Sequence, residues 1–178
     1  TRMRAPSVAA TRAVVLALVP AARANEASAA LSARAAIAID AGRTDEARAL
    51  LDRAVEADPN DADVRYLRGV LRARAGDRRG AITDLEAALA QRPQFHTAAL
   101  ELGILLVDDD RAADAEPLLM QAQAVPALDA QASFYLALAG LRLERYEAAR
   151  ANLARARERD PSLAVASEYY TGVIAFRQ

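Results

Sequence analysis

Ala47, Ala81, Ala115 and Ala149 stand 34 residues apart, and two further columns keep the same step: Leu51, Leu85, Leu119 and Leu153, then Ala54, Ala88, Ala122 and Ala156. A chain that repeats itself at this interval folds as a stack of similar units, each burying its apolar face on the next. Within one unit the spacing is i, i+4 and i+7, as in Ala47, Leu51 and Ala54, which is one face of an α-helix. Small residues on either side of a leucine let a second helix come close and fit around the large side chain. This helix is called B below.

The helix before it, called A, carries its own small column at Ala35, Gly69, Gly103 and Ala137, which also fits close helix contact. Turn residues lie between A and B: Gly42 in the first unit, and Gly76-Asp77 in the second, a pair suited to a helix end followed by an N-cap. Helix B stops at Pro59, Pro93 and Pro161, which share one column. Proline there disfavours helical geometry at the preceding residue. The third unit departs, with Pro126 one place early and Ala127 in the column.

The stretch Tyr66-Leu67-Arg68-Gly69, then Gly76-Asp77, Gly80-Ala81-Ile82, Leu85, Ala88-Leu89 and Pro93 resembles the tetratricopeptide repeat family. The resemblance implies an all-α fold, a right-handed α-solenoid of antiparallel helix hairpins over 25–178. Repeats fall at about 28–61, 62–95, 96–129 and 130–163, with helix A of a fifth at 164–178. One departure concerns the family's bulky aromatic near the start of helix A, where this chain has Leu31, Arg65, Ala99 and Ser133.

Composition agrees with a helical solenoid, because alanine is the best helix former. There is no cysteine, so disulfides and thiolate metal sites are excluded, while the compartment stays open. Every basic residue is arginine, and with the abundant alanine this codon usage points to a GC-rich bacterial genome. A formal net charge of −1 supplies no basic field for phosphates, so nucleic acid is not an expected partner. No segment has the roughly 20 apolar residues of a transmembrane helix. The expected partner is a protein or peptide, with no cofactor, and the oligomeric state is left open.

Both ends break the pattern. Residues 1–24 carry Arg4 and Arg12, the apolar run Ala13 to Val19, then Pro20 and Ala22-Arg23-Ala24, the order of a secretory signal peptide. The alternative is an N-terminal helix packed on the first repeat. Export implies a periplasmic protein; without it the protein is cytoplasmic. At the other end, Phe176-Arg177-Gln178 halts where the second repeat proceeds to Gly76, which reads as a fragment of a longer protein, or alternatively as a capping helix.

The resemblance implies that partner-binding residues lie on an inner wall of A helices. Carried over position by position, that wall holds Ser32, Tyr66, Leu100, Phe134 and Tyr169. One turn on come Ala36, Val70, Ile104, Leu138 and Val173, with the last helix slid by one residue to align Gly172 with Gly69. A third row is Ile39, Ala73, Val107, Leu141 and Phe176. Two readings of this stripe stand together: a groove for an amphipathic helix or apolar peptide, or filling between successive A helices. Arg74, Arg142 and Arg177 edge it, where they orient an acidic flank of a ligand or are simply solvated. A carboxylate-clamping mode does not fit, since Asp63 and Glu101 are acidic.

Other sites are weak. His96 is the sole histidine and opens a helix with no second ligand or nucleophile beside it. Asp108-Asp109-Asp110 with Asp114 and Glu116 lacks the spacing of a calcium loop and reads as an A-to-B turn. Asp114 and Glu116 then sit near the positive end of helix B, and Pro117 falls in its first turns. No acid, base and nucleophile converge, so the chain reads as a non-enzymatic scaffold. The alternative is an architectural docking domain of a larger envelope or secretion-associated protein. If residues 1–24 direct export, N-terminal sequencing of protein purified from its own host will begin at Asn25; an intact N-terminus there defeats the signal-peptide reading.

Overall fold

A computed structural model describes residues 25–178; the signal-peptide reading falls on 1–24 and lies outside the described residues. Helix α1 spans 25–40 and is followed by α2 (Thr44–Ala57), α3 (Ala62–Arg74), α4 (Arg78–Gln91), α5 (His96–Asp108), α6 (Ala112–Gln123), α7 (Asp129–Arg142) and α8 (Tyr146–Arg159). A short 3₁₀ turn, Pro161–Leu163, leads into α9 (Ala164–Arg177). No strand occurs among the described residues. The odd-numbered helices are the A helices and the even-numbered ones the B helices. Each of α3 to α8 packs on its chain neighbours, as a stack of antiparallel hairpins requires.

The core is built from the repeating B face. Leu51, Leu85, Leu119 and Leu153 are all buried, as are the alanines on either side of them. Burying one leucine contributes on the order of 1.5–3 kcal/mol, and the small column on helix A is what lets it in. A methyl group added at Gly103 would lie 2.7 Å from Leu119 Cγ, and one at Gly69 would lie 3.0 Å from Leu85 Cγ. Glycine at these two points lets the hairpin close around its leucine.

The A-to-B turns are uniform in shape although their sequences differ. Gly42, Gly76, Asp110 and Glu144, again 34 apart, all take left-handed backbone, with φ of 71°, 83°, 61° and 59°. The next amide reaches back five residues in each case: Arg43 N–H donates to the Ala38 carbonyl at 2.8 Å, Asp77 to Arg72 at 2.9 Å, Arg111 to Leu106 at 2.8 Å and Arg145 to Gly140 at 2.8 Å. This is the hydrogen-bond pattern that ends a helix at a left-handed residue. Side-chain caps restart the chain where the sequence offers them. Asp77 accepts from the Gly80 amide at 3.0 Å, and Asp61 from those of Asp63 and Val64 at 3.0 and 3.2 Å.

Left-handed geometry costs a residue with a Cβ about 1–2 kcal/mol, and glycine escapes that cost. Glu144→Gly is therefore expected to stabilise the protein by about 1 kcal/mol in urea denaturation. A destabilised Glu144→Gly protein would show that the side chain makes a contact worth more than the strain.

Candidate functional site

Successive A helices lie side by side and form one wall of the stack. Their contact faces decide which side chains of the apolar stripe a ligand meets. Leu100, Leu138 and Leu141 are buried in the core and offer little surface. Tyr66, Val70, Ile104, Phe134 and Val173 are partly buried, while Tyr169, Arg74 and Arg142 are exposed. The stripe thus divides into a buried layer that spaces the helices and a partly open layer above it.

The widest opening among the A helices lies between α5, α7 and α9, a cleft of about 520 Å³ bordered by Leu138, Leu141, Tyr170, Asp108, Asp110, Arg142 and Arg177. Its apolar floor sits between carboxylates from the α5–α6 turn and guanidiniums from the ends of α7 and α9. Arg142 Nε lies 3.2 Å from Asp110 Oδ1, which pins one rim. A smaller cleft of about 170 Å³ between α1 and α3 is bordered by Ile39, Tyr66, Leu67, Val70, Leu71 and Arg74.

The phase of α9 differs from the slid alignment. Its buried residues, Ser167 and Ile174, fall 34 after Ser133 and Gly140, both buried on α7, so α9 keeps the common register without a shift. Tyr170 meets Phe134, ring centroids 5.8 Å apart, whereas Tyr169 stacks edgewise on Tyr170 at 5.1 Å and is 66% exposed. Phe176, at 93% exposed, lies off the wall floor. A Cβ at Gly172 would meet nothing within 4 Å, so no close approach fixes glycine there in the way it does at Gly69.

Polar groups punctuate the wall. Burial pushes the Glu101 carboxyl above its ordinary range, and the positive charge of Arg74 offsets this only in part. Burial likewise raises the Tyr66 and Tyr135 phenols, and the negative charge of Glu101 raises both further. At the α4–α5 corner, Arg92 lies over the Phe95 ring at 4.3 Å and pairs with Asp63, while Phe95 packs on Tyr66 with centroids 4.9 Å apart. His96 is the first residue of α5, and Asp108 to Asp110 form the α5–α6 turn. Among the described residues no cluster of histidine, aspartate and glutamate side chains is arranged to hold a metal.

The sequence matches the Tetratricopeptide repeat family over residues 9–62, 32–94, 66–127 and 100–164, and the chain belongs to that family. Its members are generally non-catalytic protein-interaction scaffolds. Among solved structures it is similar to MamA from Desulfovibrio magneticus RS-1, residues 41 to the end, at 24% identity over 84% of each chain with a TM-score of 0.75. It is also similar to YrrB, described as a TPR protein with an unusual peptide-binding site, at 24% identity over 83% of this chain and 76% of that one, TM-score 0.75. PilF of Pseudomonas aeruginosa follows at 20% identity, 86% and 70% coverage, TM-score 0.69. At these identities the likeness is one of fold. Comparison with curated proteins gives no match.

The departure from the family's helix-A aromatic has a physical explanation in the second repeat. Arg65, Arg68 and Arg72, at i, i+3 and i+7 on one face of α3, converge on Asp84 of α4, which is wholly buried. Arg68 grips both carboxylate oxygens, at 2.8 and 2.7 Å, Arg65 donates at 2.9 Å and Arg72 at 2.8 Å. Arg68 also reaches Asp52 of α2 at 3.0 Å. Burial alone would push the Asp84 carboxyl up; the hydrogen bonds of Arg68 and Arg65 and the charges of Arg68 and Arg72 outweigh it and hold the carboxyl below its usual range. In the fourth repeat, Ser133 donates to Asp129 at 3.1 Å and accepts from Gln123 at 2.7 Å, and Arg155 and Arg159 pair with the same aspartate. Reading arginine as a surface residue misses the first cluster, although its helical spacing signals a buried face.

The third repeat carries apolar residues at the matching positions, Ala99, Leu102, Leu106 and Leu118, which supplies a test. Asp84→Leu alone leaves buried guanidiniums without a counter-charge and should cost about 3–5 kcal/mol. Combining it with Arg65→Ala, Arg68→Leu and Arg72→Leu should restore stability to wild type or above. Because the folded-state value of Asp84 is depressed, its contribution is present above about pH 4 and is lost as pH falls through that lower value. Urea titrations at descending pH should show this acid loss in the wild type and less of it in the fourfold variant. An unchanged acid limb would remove Asp84 from the account.

Proposed function

We propose that this chain is a binding scaffold that takes an apolar or amphipathic peptide segment of a partner protein along its wall of A helices. The cleft between α5, α7 and α9 carries this reading, because an apolar floor with both charge signs at its rim can seat a side chain and orient the segment that bears it. The half-buried rings of Phe134 and Tyr170 extend the floor toward α9. YrrB, with its peptide-binding site, offers a precedent on a similar fold.

A second reading is a docking domain of a larger envelope or secretion-associated protein. Val165, Tyr169 and Phe176, at 81%, 66% and 93% exposed, lie on one side of α9 and favour contact with a neighbouring domain. The arginine-only basic composition and the N-terminal run support a bacterial, exported setting for either reading.

Phe134→Asp puts a charge beside the cleft, and Arg142→Glu reverses its rim without touching the core. Both should weaken capture of peptides or of the partner by about tenfold or more, with circular dichroism unchanged. If two folded variants retain every partner at wild-type strength, the wall is not the binding surface. Affinity that appears only for a fixed assembly partner, with no isolated peptide bound, would favour docking.

A further inference from the structure

The carboxylates of the wall have different partners. Asp63 is paired with Arg92 and Asp110 with Arg142. Glu101 is partly buried on α5 yet has no hydrogen bond or ion pair among the described residues. It lies between Tyr66 of α3 and Tyr135 of α7, close enough for its charge to act on both phenols. Arg74, the nearest cation acting on it, is exposed and stays beyond ion-pair distance. A carboxylate withdrawn from water without a counter-charge gains more from an incoming cation than a solvated one does.

The chain already builds the complete version of this arrangement a short distance away. At the α4–α5 corner an arginine lies over an aromatic ring and pairs with a carboxylate: Arg92, Phe95 and Asp63. At Glu101 the carboxylate and the aromatic rings are present, and the cation is missing from the chain. We propose that Glu101, with Tyr66 and Tyr135, forms a subsite for an arginine or lysine side chain of the bound peptide. The pairing supplies charge and ring faces together, which suits guanidinium above all.

The position also defines what the ligand carries beside its cation. Phe134, next to Tyr135 in sequence, contacts it edgewise at 5.7 Å and meets Tyr170 of the apolar cleft. A ligand bound at both places therefore presents a basic residue followed or preceded by an apolar one. This subsite rests on the peptide-binding reading above and adds the chemistry of the partner to it.

The test uses the whole chain and short acetylated peptides, each with a leucine or phenylalanine anchor and a neighbouring position occupied by arginine, lysine, glutamine or glutamate. Fluorescence anisotropy should rank arginine and lysine peptides about tenfold tighter than their glutamine counterparts. Glu101→Gln, which keeps shape and removes charge, should abolish that ranking while apolar anchoring and the urea midpoint stay as in wild type. Equal binding of arginine and glutamine peptides, or a ranking that survives Glu101→Gln, overturns the subsite and leaves the groove standing. Peptide binding that is absent, or indifferent to both Phe134→Asp and Arg142→Glu, overturns groove and subsite together. A lowered urea midpoint in Glu101→Gln with the ranking intact would identify an internal partner for Glu101 and also count against the subsite.

Discussion

Every hairpin depends on one contact, a leucine of helix B held against a small residue of helix A. Leu85 and Leu119 sit so close to Gly69 and Gly103 that a single added carbon would crowd them. The distance between the helices follows from that fit, since ridges on one helix can enter the grooves of another only where the opposing side chains are short. Alanine on either side of the leucine extends the close contact along the helix and raises its intrinsic stability. Repeating one such fit every 34 residues gives successive hairpins the same geometry, and their A helices come to stand in a row.

That row is where chemistry differs from repeat to repeat. The B face scarcely varies because its job is geometric, whereas the A helices present tyrosine, glutamate, phenylalanine and arginine at equivalent or adjacent positions. Part of the apolar stripe belongs to the scaffold: Leu100, Leu138 and Leu141 are enclosed by neighbouring helices. The remainder lines shallow clefts whose rims are charged. A solenoid of this kind confines variation to one surface without disturbing the packing behind it.

The period, the buried B face, the Gly42 and Gly76 turns and the proline stops could all be read from sequence, because each is a local rule applied at a fixed interval. Three features were harder to read. Asp110 and Glu144 adopt the conformation that glycine holds in the earlier turns, so residue type gave no warning and only the interval marked them. In α9, two adjacent tyrosines and an unconstrained Gly172 allowed a one-residue slip that burial of Ser167 and Ile174 does not support. The arginines of α3 follow the spacing of a core face, but their charge conceals that role until Asp84 is seen beneath them. Of the candidate wall residues, sequence placed the helices and columns correctly, while exposure depended on side chains from three helices at once.

The ion cluster around Asp84 also changes the character of one joint in the stack. Asp52 belongs to the first repeat, is 44% exposed, and is held by Arg68 at 3.0 Å and Arg72 at 3.8 Å from the second. The third repeat has Leu102 and Leu106 in the same columns as those arginines, both buried. Coupling between the first two repeats therefore includes a part that dissolved ions can screen, in a stack otherwise cemented by area. Ionic strength can loosen the opening segment of the rod while leaving its middle rigid, giving a single chain two mechanical regimes.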